Sequence, residues 1–158
     1  MTQTNKPGPR AQRIALTPTP GVMLKRAFNA TKRIRLRQVM DSDPAYLAMV
    51  RELPCLCCGV EDYCECAHVR MQSAAHGKRG GIGKKPADKW AVPLCSGCHR
   101  LDNDSQHAIG EIAFWDRVGI NPLLVCQRLY SQRGDIPAMR AVILTAIAER
   151  ESRSQSGK

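Results

Sequence analysis

Fifty-odd residues hold almost all of the side chains that could do chemistry in this chain. Seven of the eight cysteines lie between Cys55 and Cys98, and all four histidines lie between His68 and His107. Cys55-x-x-Cys58 and Cys95-x-x-Cys98 are two knuckles, each offering two sulfurs from one tight turn, and together they make a tetrahedral thiolate set for structural zinc. The 36 residues between the knuckles exceed the usual ribbon spacing, so a further element is inserted between them. Such a closed set leaves no open coordination position, and its role is to hold a small core together. Cys57 adjoins Cys58 and competes as a ligand, while Cys64 and Cys66 could form a second set with His68 or His76. Free buried thiols are the plain alternative.

His68 stands at the end of an expected strand beside a cationic loop. Neutral imidazole is available near pH 7, which suits it to accept a proton from water. Hydrolysis of a phosphodiester also needs a cation on the phosphate and stabilisation of the leaving oxygen.

The elements that must position these groups follow from the pattern. Asp43-Pro44 opens a helix through Leu47, Val50 and Arg51 that stops before Pro54. Residues 62–70 read as a strand with Cys64, Cys66 and His68 on one face and Glu65, Ala67 and Val69 on the other. Residues 71–89 form a glycine-rich cationic loop, and residues 90–94 form a second strand. A helix starts near the second knuckle, and another runs over 106–118 with Ile109, Ile112, Ala113 and Trp115 inward and Gly119 ending it. Asn121-Pro122 opens the next helix. Asp135-Ile-Pro137 opens the last, with Met139, Val142, Ile143, Ala146 and Ile147 as its buried stripe.

Charge divides the chain. Residues 1–40 carry nine of the 24 Lys and Arg and none of the 14 Asp and Glu. This reads as a largely disordered basic arm over 1–40, a domain over 41–150 and a frayed tail over 151–158. A basic arm on a nearly neutral domain suits a polyanion, with salt-sensitive and sequence-independent affinity. The expected contacts are Arg33, Arg35 and Arg37 in the arm, and Arg70, Lys78, Arg79, Lys84 and Lys85 around the loop, a solvated surface being the alternative. Seven aromatic residues leave little stacking surface for single strands. With no membrane-span run and no apolar signal core, the expected setting is cytoplasmic, where cysteines remain reduced.

The order strand, His68, loop, strand, Cys95-x-x-Cys98-His99, helix resembles the ββα-metal finger of the HNH nucleases. Gly80 to His99 (GGIGKKPADKWAVPLCSGCH) and His107 to Trp115 (HAIGEIAFW) are similar to small HNH proteins of phages and prophages, RecA-dependent recombination nucleases among them. The resemblance spans roughly residues 45–130. It implies an α+β fold: a zinc-stabilised HNH finger surrounded by short helices. It implies a metal-dependent DNA endonuclease acting in phage or prophage DNA processing or recombination, within a bacterial or phage-infected cell. DNA is the implied partner, with a recombinase filament as a further one. His68 matches the general base, and His99 a ligand of a catalytic Mg²⁺ or Mn²⁺. Asp88 stands where many members carry the asparagine that orients the base, and it could orient His68 or bind the cation. His107 or Asn103 completes that site. An unbroken helix would carry His107 about 12 Å from His99, whereas Leu101-Asp-Asn-Asp-Ser105 could break the helix and return it. The family often places a metal-binding acid or histidine just before the base. Here that residue is Ala67, with Glu65 on its face as a substitute. The competing reading is a non-catalytic zinc-bound DNA-binding protein that assists recombination.

Overall fold

The computed structural model describes residues 42–79 and 85–156. The basic arm, with Arg33, Arg35 and Arg37, and Lys84 of the loop lie outside the described residues. Among the described residues the fold is mixed α+β, with five α-helices and one two-stranded antiparallel sheet.

Helix α1 covers Pro44–Arg51. Proline fits its first turn, and Asp43 caps it by accepting from the Tyr46 amide at 3.0 Å. Strand β1 is Glu65–His68 and strand β2 is Ala91–Leu94, in the register Glu65↔Leu94 to His68↔Ala91. The strands are shorter than their apolar pattern suggests. Both faces are occupied: Ala67 and Val69 enter the core, while Cys66 and His68 stay half-exposed. A 3-10 turn over Asp88–Trp90 leads into β2 and buries the Asp88 carboxylate.

After the second knuckle the chain forms a π-turn over Gly97–Leu101, and Asp102 leaves the helical region with ψ 152. Two short helices then replace the single one expected over 106–118: α2, Gln106–Ile109, and α3, Glu111–Val118. Gly110 separates them at φ 85, ψ 153, a backbone region open essentially to glycine alone. The break resets the helical phase. Phe114, Trp115 and Val118 are buried, whereas Ile112 is 67% exposed and Ile109 and Ala113 also face outward, correcting the inward face read from the sequence.

Helix α4, Pro122–Ser131, begins where Asn121 accepts from the amides of Leu123 and Leu124. Helix α5, Ile136–Ser156, buries Met139, Ile143 and Ala146. It stays helical to Ser156, beyond the point where fraying is expected. Among the described residues no helix is long and apolar enough to cross a membrane.

Gly110→Ala should lower stability by about 1–3 kcal/mol, the typical cost of an alanine in that backbone region. A Cβ there meets nothing within 4 Å, so chemical denaturation would report backbone strain alone. A loss below about half a kcal/mol, the ordinary scatter of surface substitutions, would show that the break does not depend on glycine.

Candidate active site and metal centre

The two knuckles converge. The sulfurs of Cys55, Cys58, Cys95 and Cys98 all lie within 4.8 Å of one another, and Cys58 Sγ is 3.8 Å from Cys95 Sγ. A tetrahedral ion with zinc–sulfur bonds of about 2.3 Å sets its ligands about 3.8 Å apart, so the spacing fits one such ion. Local backbone bonds build each turn. Gly59 N donates to Cys55 O at 2.8 Å with Gly59 at φ 76, and Cys98 N donates to Cys95 Sγ at 3.5 Å. Leu56 N donates to Pro93 O at 2.9 Å, tying the first knuckle to β2, and Arg150 of α5 donates to Cys57 O at 2.6 Å. Burial pushes the Cys95 and Cys98 thiols up, whereas Cys55 is held down by the Cys64 thiol and by backbone amides. A bound cation supplies the charge that lets buried thiols ionise together.

No second thiolate set appears among the described residues. Cys66 Sγ donates to Leu47 O at 3.2 Å, and His76 Nδ1 lies 2.9 Å from Gln127 Oε1. Cys57 lies beside Cys98, outside the group of four.

His68 Nε2 lies 2.9 Å from Asp88 Oδ1. Asp88 is pinned from several directions. Its Oδ2 accepts from the Asp43 amide at 2.9 Å and from Ser42 Oγ at 3.3 Å, at the start of α1, and its Oδ1 also takes Lys85 Nζ at 3.0 Å. Burial opposes ionisation of this carboxyl, but the bonds from His68, Asp43 and Lys85 prevail and hold it at about 2. The ionised carboxylate accepts from Nε2–H, which leaves Nδ1 of the neutral ring as a free lone pair.

His99 has a parallel arrangement. Its Nδ1 donates to Glu65 Oε2 at 2.5 Å, and Arg100 grips the same carboxylate through Nε and NH2. Arg100 and, against burial, His99 keep Glu65 below the usual carboxylate range, while burial pushes His99 down. Nε2 of His99 is thus left as the free nitrogen. The break at Asp102 returns the chain, and the His99 and His107 rings stand 4.6 Å apart between centroids, at 72°. Asn103 is exposed on the turn.

His68, His99 and His107 line one cleft of about 490 Å³, together with Cys66, Arg70, Gln106 and Glu111. Sequence reasoning missed Gln106 and Glu111. The Glu111 carboxylate accepts from Arg70 N at 2.8 Å and Met71 N at 3.2 Å, fastening the exit of β1 to α3. That bond joins residues about forty positions apart and leaves no local signature. Glu65 is a neighbour of His99, and Ala67 is fully buried and offers nothing to the cleft.

The cationic residues divide. Arg70 and Arg79 are exposed, and Arg70 makes no ion pair among the described residues. Lys85 is held by Asp88. Lys78 is a correction: it is 5% exposed and spends its ammonium group on the carbonyls of Arg70 at 3.2 Å and Met71 at 2.8 Å, so it cross-links the loop instead of facing a phosphate.

A family model described as a protein of unknown function, DUF968, matches residues 28–129. The chain belongs to the DUF968 family. No curated protein and no solved structure matches it. The DUF968 span contains both knuckles and every residue lining the cleft, and it ends before α5.

Three outcomes follow for this DUF968 protein. It should retain one zinc per chain through purification, measured by elemental analysis. Cys95→Ser or strong chelation should abolish its cooperative thermal unfolding, and an unchanged transition would show that the four sulfurs need no ion. Asp88 has a folded value of about 2 against an ordinary 3.8, so its stabilising effect is present above about pH 4 and is lost as pH falls through 2. Acid titrations of unfolding free energy should therefore show the native chain and Asp88→Asn converging between about pH 4 and 2, and a constant gap would contradict an ionised Asp88.

Proposed function

We propose that this chain is a metal-dependent endonuclease of the HNH type, hydrolysing phosphodiester bonds of DNA. The single observation that carries the reading is that two oriented histidine units, His68 on Asp88 and His99 beside His107, share one cleft. His68 accepts the proton of a water through Nδ1, and the oxygen of that water attacks phosphorus. Asp88 keeps the ring in the required tautomer and steadies the imidazolium that forms. His99 through Nε2, with His107, would hold a divalent cation such as Mg²⁺ or Mn²⁺. When bound, that ion polarises the phosphate and stabilises the departing oxygen. Arg70, exposed at the cleft, pairs with a non-bridging phosphate oxygen.

The zinc-type cluster is structural in this reading, and the basic first forty residues provide affinity without sequence preference. Phage or prophage DNA processing or recombination, with a recombinase filament as a further partner, is the setting implied by the resemblance.

One observation favours a second reading. Ala67 is buried, so the residue before the base contributes no ligand and the cation has only two histidines. A DNA-binding protein that does not cut would follow if those two prove too few.

The purified chain should nick supercoiled plasmid with Mg²⁺ or Mn²⁺. His68→Ala should slow nicking by roughly 10²- to 10⁴-fold, the usual contribution of a general base, with zinc content unchanged. Undiminished nicking by that variant would remove His68 from its role. DNA binding without cleavage under any divalent ion would select the second reading.

A further inference from the structure

Strand β1 pairs with β2 only as far as His68, and the next bond to that side of the chain is the last, from Val69 N to Trp90 O at 2.8 Å. Arg70 and Met71 lie beyond it, with no partner strand among the described residues. The alternation nevertheless continues. Cys66, His68 and Arg70, at every second position, all line the cleft, while Ala67 and Val69 between them are buried. Something other than a strand must keep Arg70 on the face of His68.

Two side chains take that place. The Glu111 carboxylate accepts both free amides: Arg70 N donates to Oε1 and Oε2 at 2.8 and 2.9 Å, and Met71 N to Oε1 at 3.2 Å. The Lys78 ammonium donates to both free carbonyls, Arg70 O at 3.2 Å and Met71 O at 2.8 Å. All four backbone polar groups of one dipeptide are thus gripped by one anion and one cation. Both grips come from fixed points. Glu111 opens α3 directly after the Gly110 break, and Lys78 is bonded through its own backbone to Ser73 at 2.9 and 3.0 Å. Lys78 is buried, and burial pushes its ammonium down from the ordinary value while the Glu111 charge opposes this. Two carbonyls can be satisfied by water or a turn without burying a charge. What the charged pair adds is stronger and more directional bonding. The Arg70 side chain is meanwhile exposed at the cleft and makes no ion pair among the described residues. A fixed backbone beneath an unpaired guanidinium is what a phosphate contact of defined geometry requires.

We infer that Lys78 and Glu111 are positioning residues for Arg70: by clamping the Arg70–Met71 backbone, they hold its guanidinium on the His68 side of the cleft, against the phosphate that the His68-activated water attacks. The inference rests on the proposed nuclease reading for that reaction. The clamp itself can also be read in DNA affinity, without cleavage.

The test is a double-mutant cycle on the full zinc-loaded chain, with zinc content and cooperative unfolding checked for each variant. Lys78→Met and Glu111→Ala should each slow plasmid nicking roughly tenfold to a hundredfold at saturating DNA, since a misplacement of about 1 Å costs up to the larger factor. Glu111→Gln keeps one acceptor oxygen for the two amides and should slow nicking less than Glu111→Ala. In an Arg70→Ala background none of the three should slow it further, because no guanidinium remains to be placed. Equal slowing in both backgrounds would overturn the inference, since a general loss of structure or a direct contact of Glu111 with substrate gives that result. So would undiminished nicking by Lys78→Met and Glu111→Ala, or by Arg70→Ala itself. If Lys78→Met does not fold, the two Glu111 variants decide the cycle. If the native chain binds DNA but cuts none, the hydrolytic reading falls, and the cycle is read in affinity for a short duplex without divalent ion. There Arg70→Ala should weaken binding, and Glu111→Ala should weaken it only where Arg70 is present. Additive losses would overturn the clamp, and a chain that binds no duplex would overturn both.

Discussion

Four sulfurs gathered around the space of one ion hold this fold to its shape. The sheet has two strands of four residues each, far below what pairs stably in water by itself. The knuckles sit at its open end. Cys95 follows β2 directly, and the first knuckle is bonded to β2 through Leu56. An ion shared by both knuckles would fix the end of the sheet from which His99 projects, and the Arg150 bond to Cys57 ties α5 to the same point. The position of His99 in the cleft would then be inherited from the metal centre, not from the length of any helix or strand.

Upon that frame, electrostatics sets the chemistry. Each of the two principal histidines gives one nitrogen to a carboxylate, and each carboxylate is itself held elsewhere, Asp88 by the start of α1 and Glu65 by Arg100. The outcome differs between them because the surroundings differ. Asp88 is buried and fully hydrogen-bonded, which suits it to steady a charge appearing on His68. Glu65 is more open and shared with a guanidinium, which fixes the His99 ring with less charge to spare. In the proposed reaction, two rings with opposite demands, one to gain a proton and one to keep a lone pair, would be served by the same side-chain type in two settings.

How much of this could be read in advance depended on the range of the signal. The knuckles were legible because cysteine pairs at fixed spacing carry their own geometry, and the caps of α1 and α4 because Asp43-Pro44 and Asn121-Pro122 act within one turn. The last helix was legible from the period of its apolar stripe. The inward face of residues 106–118 was not, since Gly110 divides that stretch and shifts the phase of everything after it. Lys78 reads from the sequence as a phosphate contact, but the turn closed by Ser73 and Lys78 folds it inward over Trp90. Glu111 gave no hint, because its partners are backbone amides some forty residues away.

The buried Ala67 bears on how strongly a cation can be held. In a cleft where the neighbouring residue cannot ligate, two imidazoles would carry the proposed ion alone. They are neutral donors, so no anionic oxygen offsets the charge of a hard cation. Glu65 does not fill the gap, for its oxygens are taken by His99 and Arg100. Glu111 lines the cleft but is bound to the amides of Arg70 and Met71. On the proposed reading, the missing anionic ligand would come from the phosphate itself. Such a cation would be held mainly in the complex with substrate, and the free chain would bind it weakly. On that reading the weakness that Ala67 introduces is compatible with catalysis at high local phosphate, and metal and DNA affinity would rise together.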